Sequence, residues 1–216
     1  MLAIAFAKQG ANVEGLEPST RMIAMAKEKD TEERVTWINK RAEQFEFPEK
    51  KYDVVFSHDS FHLIDNPSEL IEKIVIGLNP GGFFAVGSAM FNFDLHPEAS
   101  EAYKQIFIDN IPTETEENFN RWACTNFSSL MSGAGLQKIK TAKVQVKEEY
   151  TTEQIINYLL NVSKTAGLKE DVRNKIDEEL RKKFKTIFPD GKCIGYDEYS
   201  IIYGQKPPEN HNLKSA

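Results

Sequence analysis

The sequence is poor in cysteine and has no long apolar run, no basic stripe and no internal repeat, and each absence removes a class of protein. Two cysteines, Cys124 and Cys193, stand far apart in 216 residues with neither metal-like nor redox spacing. That usage argues against a disulfide framework, and a reducing compartment, the cytoplasm, is expected. No apolar stretch approaches the roughly 20 residues that cross a bilayer, and MLAIAFAKQGANVEG carries neither a basic region nor a small-residue cleavage site. The expectation is therefore no membrane span and no secretory signal. The 27 Lys and Arg are scattered among 33 Asp and Glu, for a net charge of −6. That balance speaks against nucleic acid as the main partner and for a small-molecule substrate. Nothing in the composition fixes an oligomeric state.

What is present is the composition of one globular domain, 40% hydrophobic and 28% charged, long enough to bury a substantial core. The first half alternates helix and strand. Residues 2–9 read as a short helix ending at Gly10, NVEGLE as a strand, and STRMIAMAKEK as an amphipathic helix entered through Pro18 and Ser19. RVTWINK is the next strand. YDVVFS and FFAVGS are nearly wholly apolar, as parallel strands covered on both faces are. Between them Asn66-Pro67-Ser68-Glu69 supplies an N-cap, a proline at the first helical position and a carboxylate at the third, and the helix is expected to stop at Asn79-Pro80-Gly81-Gly82. Such alternation predicts an α/β fold built on a doubly wound, mostly parallel sheet.

The second half changes character. PEASEAYKQIFID and the stretch 118–131 read as helices outside the alternation, a cover over about residues 96–133. KIKTAKVQVKEEY is a long alternating strand, Thr151 with Gln154 forms a capping box for the helix that follows, EDVRNKIDEELRKKFKTIF is a charged helix, and EYSIIYGQK closes the chain's last strand. The two late strands are expected as an antiparallel pair on one edge. A single domain over 1–206 then gives way to a flexible tail, 207–216.

In an open parallel sheet ligands bind beyond the carboxyl ends of the strands, so the loops there decide the function. Three carry a pattern: Glu17-Pro18-Ser19 with Met22 one turn later, Arg41-Ala42-Glu43-Gln44-Phe45-Glu46-Phe47-Pro48, and Ser57-His58 leading to Phe61-His62. In this order they resemble the S-adenosylmethionine-dependent class I methyltransferases with a Rossmann-like fold, in the small-molecule branch. The resemblance covers nearly the whole chain. It implies S-adenosylmethionine as cofactor, with Glu17 accepting hydrogen bonds from the ribose hydroxyls, Pro18 and Met22 packing on the adenine, and Ala42 with Glu43 reading its edge. It implies that Ser57 and His58 lie near the methionine part, that Phe61 and Trp122 contact the substrate, and that His62 is the catalytic base. Each position also has a plain structural role open to it: Glu17 as a cap, Glu43 as a surface carboxylate, His62 as a loop histidine packed on Phe61, and Trp122, Phe119 and Phe127 as core. His58, Asp59 and His62 lie on a loop leaving a strand, a poor arrangement for a metal.

The family places a first strand and a glycine-rich loop ahead of the segment that opens this sequence, and neither is found here. NVEGL and YDVVF would flank that strand, so their facing edges are expected either to stay unpaired or to be forced together. The resemblance therefore implies either an amino-terminally truncated enzyme transferring methyl groups to a small molecule, or a non-catalytic remnant that serves as a binding or partner module. Nicotinamide-dependent oxidoreduction also needs the glycine loop, and no Tyr-Lys pair stands out to support it.

Overall fold

A computed structural model describes residues 2–92, 96–112, 126–162, 165 and 167–209. The chain begins with α1 (Leu2–Lys8), closed by Gly10 in the left-handed region, and continues through β1 (Val13–Leu16), α2 (Thr20–Lys29) and β2 (Val35–Ile38). A short 3-10 turn, Ala42–Gln44, precedes β3 (Tyr52–His58), and a second, Phe61–Leu63, precedes α3 (Pro67–Gly77). Next come β4 (Leu78–Asn92), α4 (Pro97–Asn110), α5 (Phe127–Gly133), β5 (Gln137–Thr151), α6 (Thr152–Leu159), α7 (Glu170–Ile187) and β6 (Lys192–Gln205).

Local chemistry sets most boundaries where the sequence puts them. Ser19 caps α2 by accepting the Met22 amide, Asn66 caps α3 by accepting the Glu69 amide, and Thr151 with Gln154 forms a complete capping box on α6. One boundary moves. α3 ends at Gly77, ahead of Asn79-Pro80-Gly81-Gly82, because Leu78 already pairs with Tyr52 of β3. The prolyl-glycyl segment is an irregularity at the start of β4: Gly81 has φ +83°, and a Cβ on Gly82 would lie 2.9–3.1 Å from the carbonyls of Asn79, Asp53 and Tyr52. Lys206, just past β6, donates from Nζ to the carbonyls of Val75 and Leu78 at 2.6 and 2.7 Å and so closes the end of α3.

The strands fall into two sheets. β1 and β2 form a parallel pair; β3, β4, β6 and β5, in that order, form the second sheet, with β3–β4 parallel and β6 antiparallel to both of its neighbours. The late strands are the expected antiparallel pair at one edge. Between β1 and β3 the unpaired outcome holds: among the described residues no strand pairs with either facing edge. The seam is instead bridged by side chains. Tyr52 Oη donates to Glu14 Oε2 at 2.6 Å, Lys51 pairs with the same carboxylate, and Phe6 of α1 meets Phe56 edge to face at 5.8 Å. Tyr52 and Glu14 lie near the amino ends of β3 and β1, so the two strands start from one end of the molecule.

Among the described residues, three apolar clusters organise the interior. The largest joins α4, α6 and α7 through Phe107, Ile155, Ile176, Leu180 and Phe184, and reaches Cys193 of β6. The second packs α3 and α5 on one face of the four-stranded sheet through Ile71, Ile74, Phe84, Val86 and Met131; the third, on β1 and β2, is only Ile4, Ala7 and Val35. YDVVFS is not covered on both faces as its composition suggests, since Val54 is 57% exposed. Among the described residues its outer edge has no partner strand and no apolar cluster reaches that face of it.

Candidate active site

The loops that the resemblance singles out lie at the carboxyl ends of β1, β2 and β3. At the first, Glu17 Oε1 accepts the Ser19 amide at 2.8 Å, and Asn39, beyond β2, donates to the carbonyls of Glu17 and Pro18 at 3.0 and 2.8 Å. The cap and the ligand roles are compatible. One oxygen fixes the carboxylate at the strand end, and a carboxylate keeps further lone pairs for a vicinal diol. Pro18 and Met22 are exposed, Met22 by 51%, which leaves apolar surface beside that carboxylate.

At the second loop Ala42 and Glu43 open the first 3-10 turn. A hydrogen bond from its own amide, and then Arg41 at 3.3 Å, hold the Glu43 carboxyl below its ordinary pKa, and the Glu43 carbonyl accepts from Lys73 of α3. A cleft of about 410 Å³ lies beside this turn against Lys73 and Ile76; it is bounded by none of Glu17, Ser57 or His58. The strand ends, rather than that cleft, collect the chemistry.

The third loop answers what His58 and Asp59 do. Asp59 is held at φ +47°, its amide donating to the Gly87 carbonyl at 3.0 Å and its carboxylate accepting the Ala89 amide at 3.1 and 3.3 Å. That carboxylate also meets His58 Nδ1 at 3.0 Å. The pair has the geometry of a base and its orienting acid: a proton on Nδ1 directed to Asp59 leaves Nε2 as the acceptor. Gly87 makes room for the ring, since a Cβ there would lie 3.1 Å from His58 Cδ2 and 3.0 Å from Phe56. Ser57 Oγ is 2.9 Å from Ser60 Oγ across the same turn. From the sequence Asp59 was weighed with His58 and His62 only as a metal ligand, and Gly87 was not singled out. The adjacency of His and Asp was the available signal, but the Ala89 amide that locks the pair arrives from a strand 30 residues away.

Of the two residues expected to face substrate, Phe61 alone falls within the described residues, and it is buried. Phe61 is 3% exposed, with Phe84 at 5.4 Å and Phe127 at 5.8 Å between ring centroids. It anchors the loop in the core and presents no surface to a substrate, because three rings distant in sequence find one another there. Phe127 is likewise core, while Phe119 and Trp122 lie outside the described residues. His62 stands half-buried in the second 3-10 turn. Among the described residues no group of acidic, His or Cys side chains could hold a metal.

Similarity to known proteins agrees with this frame. Residues 1–86 match the methyltransferase domain family. The elements of this chain align over 95% of its length with 97% of a proposed type II methyltransferase from Anaeromyxobacter dehalogenans, at a TM-score of 0.56 and 15% identity. They align over 92% of this chain with 44% of phosphoethanolamine N-methyltransferase 2 from Haemonchus contortus, solved with S-adenosylhomocysteine, at 0.50 and 20%. The fold is thus the Rossmann-like, class I methyltransferase fold, and the match to the methyltransferase domain family lies within the amino-terminal 86 residues. A malonyl-[acyl-carrier protein] O-methyltransferase from Ilyobacter polytropus is 32% identical over 110 residues, half of this chain and 40% of that enzyme. The chain spans about two fifths of that relative.

Proposed function

We propose that this protein transfers the methyl group of S-adenosylmethionine to a small-molecule acceptor. The observation that carries the proposal is the pairing of a fixed carboxylate at the end of β1, Glu17, with an oriented imidazole at the end of β3, His58. Glu17 would hold the ribose diol, Pro18 and Met22 the adenine, Ala42 and Glu43 its edge, and Ser57 the methionine side. When bound, S-adenosylmethionine supplies a methyl group already activated on a sulfonium, so alignment provides most of the rate. The protein's remaining task is to take the acceptor's proton. His58 Nε2, with Nδ1 tied to Asp59, suits that task; His62, on the turn that follows, is the second imidazole that could do so.

The test is calorimetric titration of the chain with S-adenosylhomocysteine, beside a Glu17→Ala variant. Micromolar binding that weakens at least tenfold in the variant, about 1.4 kcal/mol, is the expected result. A folded wild-type chain that does not bind would sink the proposal and favour the non-catalytic binding module. With binding in hand, Asp59→Asn should lower kcat more than it raises KM, by about 10²-fold if His58 is the base. Unchanged kcat in that variant, with a loss in His62→Ala, would move the role to His62.

A further inference from the structure

A second cleft, of about 250 Å³, lies where α6 meets the sheet, lined by Tyr150, Tyr158, Tyr199, Asp197, Gln154 and Ala89 among others. Its position is set by the dyad: Ala89, whose amide holds the Asp59 carboxylate, forms one wall. Its chemistry is unusual for a core margin. Tyr150 Oη donates to Asp197 Oδ2 at 2.7 Å, and burial, followed by that bond to Asp197, raises the Tyr150 pKa, so the phenol stays a neutral donor. Tyr158 and Tyr199 are 42% and 47% exposed beside it. The neighbouring lysines are engaged elsewhere, Lys143 with Glu198 and Lys192 with Glu149, and among the described residues no Lys or Arg forms an ion pair with Asp197. A carboxylate without a cationic partner, walled by three phenol rings, repels anions and offers both a counter-charge and π faces to a cation.

We infer that this cleft is a binding subsite for an alkylammonium group, the cationic end of the acceptor or of its methylated product. The role as acceptor subsite rests on the methyl-transfer reading; the binding itself does not. Asp197 supplies the charge, the tyrosine rings receive the apolar N-alkyl groups, and the Ala89 backbone places the ligand within one residue of the groups that hold His58. Neutral ligands of the same shape gain only the apolar part of this contact.

The experiment is a titration of the full chain, without methyl donor, with choline and with its neutral isostere 3,3-dimethylbutanol, followed by NMR and calorimetry. Choline is expected to bind at least tenfold tighter than the isostere, and to lose at least tenfold in Asp197→Asn and several-fold in Tyr199→Ala. Tyr150→Phe keeps the ring and the carboxylate and should retain choline binding. A thermal unfolding trace of each variant separates lost binding from lost fold. Equal affinity for choline and the isostere, an unaffected Asp197→Asn, or no choline binding by the wild type each overturns the inference. Because no methyl donor is present, choline binding without S-adenosylhomocysteine affinity would keep the subsite and discard methyl transfer; the reverse result would discard the subsite alone.

Discussion

The two faces of the four-stranded sheet are built from equally apolar residues and have opposite fates. On one face Phe84 and Val86 of β4 lie under α3 and α5 at 0% and 1% exposure, with Ile202 of β6 beside them. On the other, Val54 of β3, its partner Phe83, and the pair Val144–Tyr199 across β5 and β6 remain 36–59% exposed. Among the described residues, helices α6 and α7 cover that second face toward Cys193 and Tyr150, and α1 reaches it at Phe56. The difference shows that strand composition specifies a covered strand, while the cover itself depends on what else is packed there.

Adjacent phenylalanines give the sharpest way to break this comparison. Phe84→Ala empties a closed site and is expected to cost about 3–5 kcal/mol, whereas Phe83→Ala, on the open face with Tyr203 at 6.3 Å as its ring partner among the described residues, should cost about 1 kcal/mol. Urea unfolding of the two variants measures both. Equal losses would mean that the second face is covered in solution.

Much of this architecture was legible because it is local. The caps at Ser19, Asn66 and Thr151 need only neighbours three residues away, and the apolar runs of β3 and β4 announce parallel strands whatever covers them. That three patterned loops lie at the carboxyl ends of β1, β2 and β3 was legible for the same reason. What was hidden depends on distant meetings. Phe61 was read as facing substrate because nothing near it in sequence reveals Phe84 and Phe127. His58 was read as a cofactor contact without Asp59, because the lock on the pair is an amide of β4. The tyrosine-lined cleft draws on β4, β5, α6 and β6 together, and no stretch of sequence contains it.

The seam between β1 and β3 offers a smaller effect. Glu14 is held below its ordinary carboxyl pKa by its bond with Lys51 and then by Tyr52. A carboxyl with a depressed folded pKa contributes stability that is present above its unfolded value, 4.5, and lost as pH falls through its folded value. Glu14→Gln should therefore cost about 1 kcal/mol at pH 7 and nothing measurable once the wild-type carboxylate is protonated well below pH 4. A cost independent of pH would show that the glutamate acts by shape alone, and that the ionic bridge to β3 contributes nothing to joining the two sheets.

The smallest change in stability belongs to the open face itself, where Val144 is 59% exposed. An exposed valine on the outermost strand contributes little to folding, so Val144→Lys should shift stability by no more than about 0.5 kcal/mol. Its effect on association should be larger. Contiguous exposed apolar surface is attractive to a second copy, and the wild-type chain is expected to show light scattering that rises with concentration beyond that of a monomer. β5 already carries Lys138, Lys140, Lys143 and Lys147 along its length, charges that discourage strand addition at its edge but do not cap the face. A lysine at 144 would place charge on the face, and its scattering should fall toward the monomer value while its unfolding midpoint stays put. A wild-type chain that scatters as a clean monomer at every concentration would remove self-association from the comparison, and the exposure of Val54, Phe83 and Val144 would then have to be tolerated by a sheet whose stability comes almost wholly from its other face.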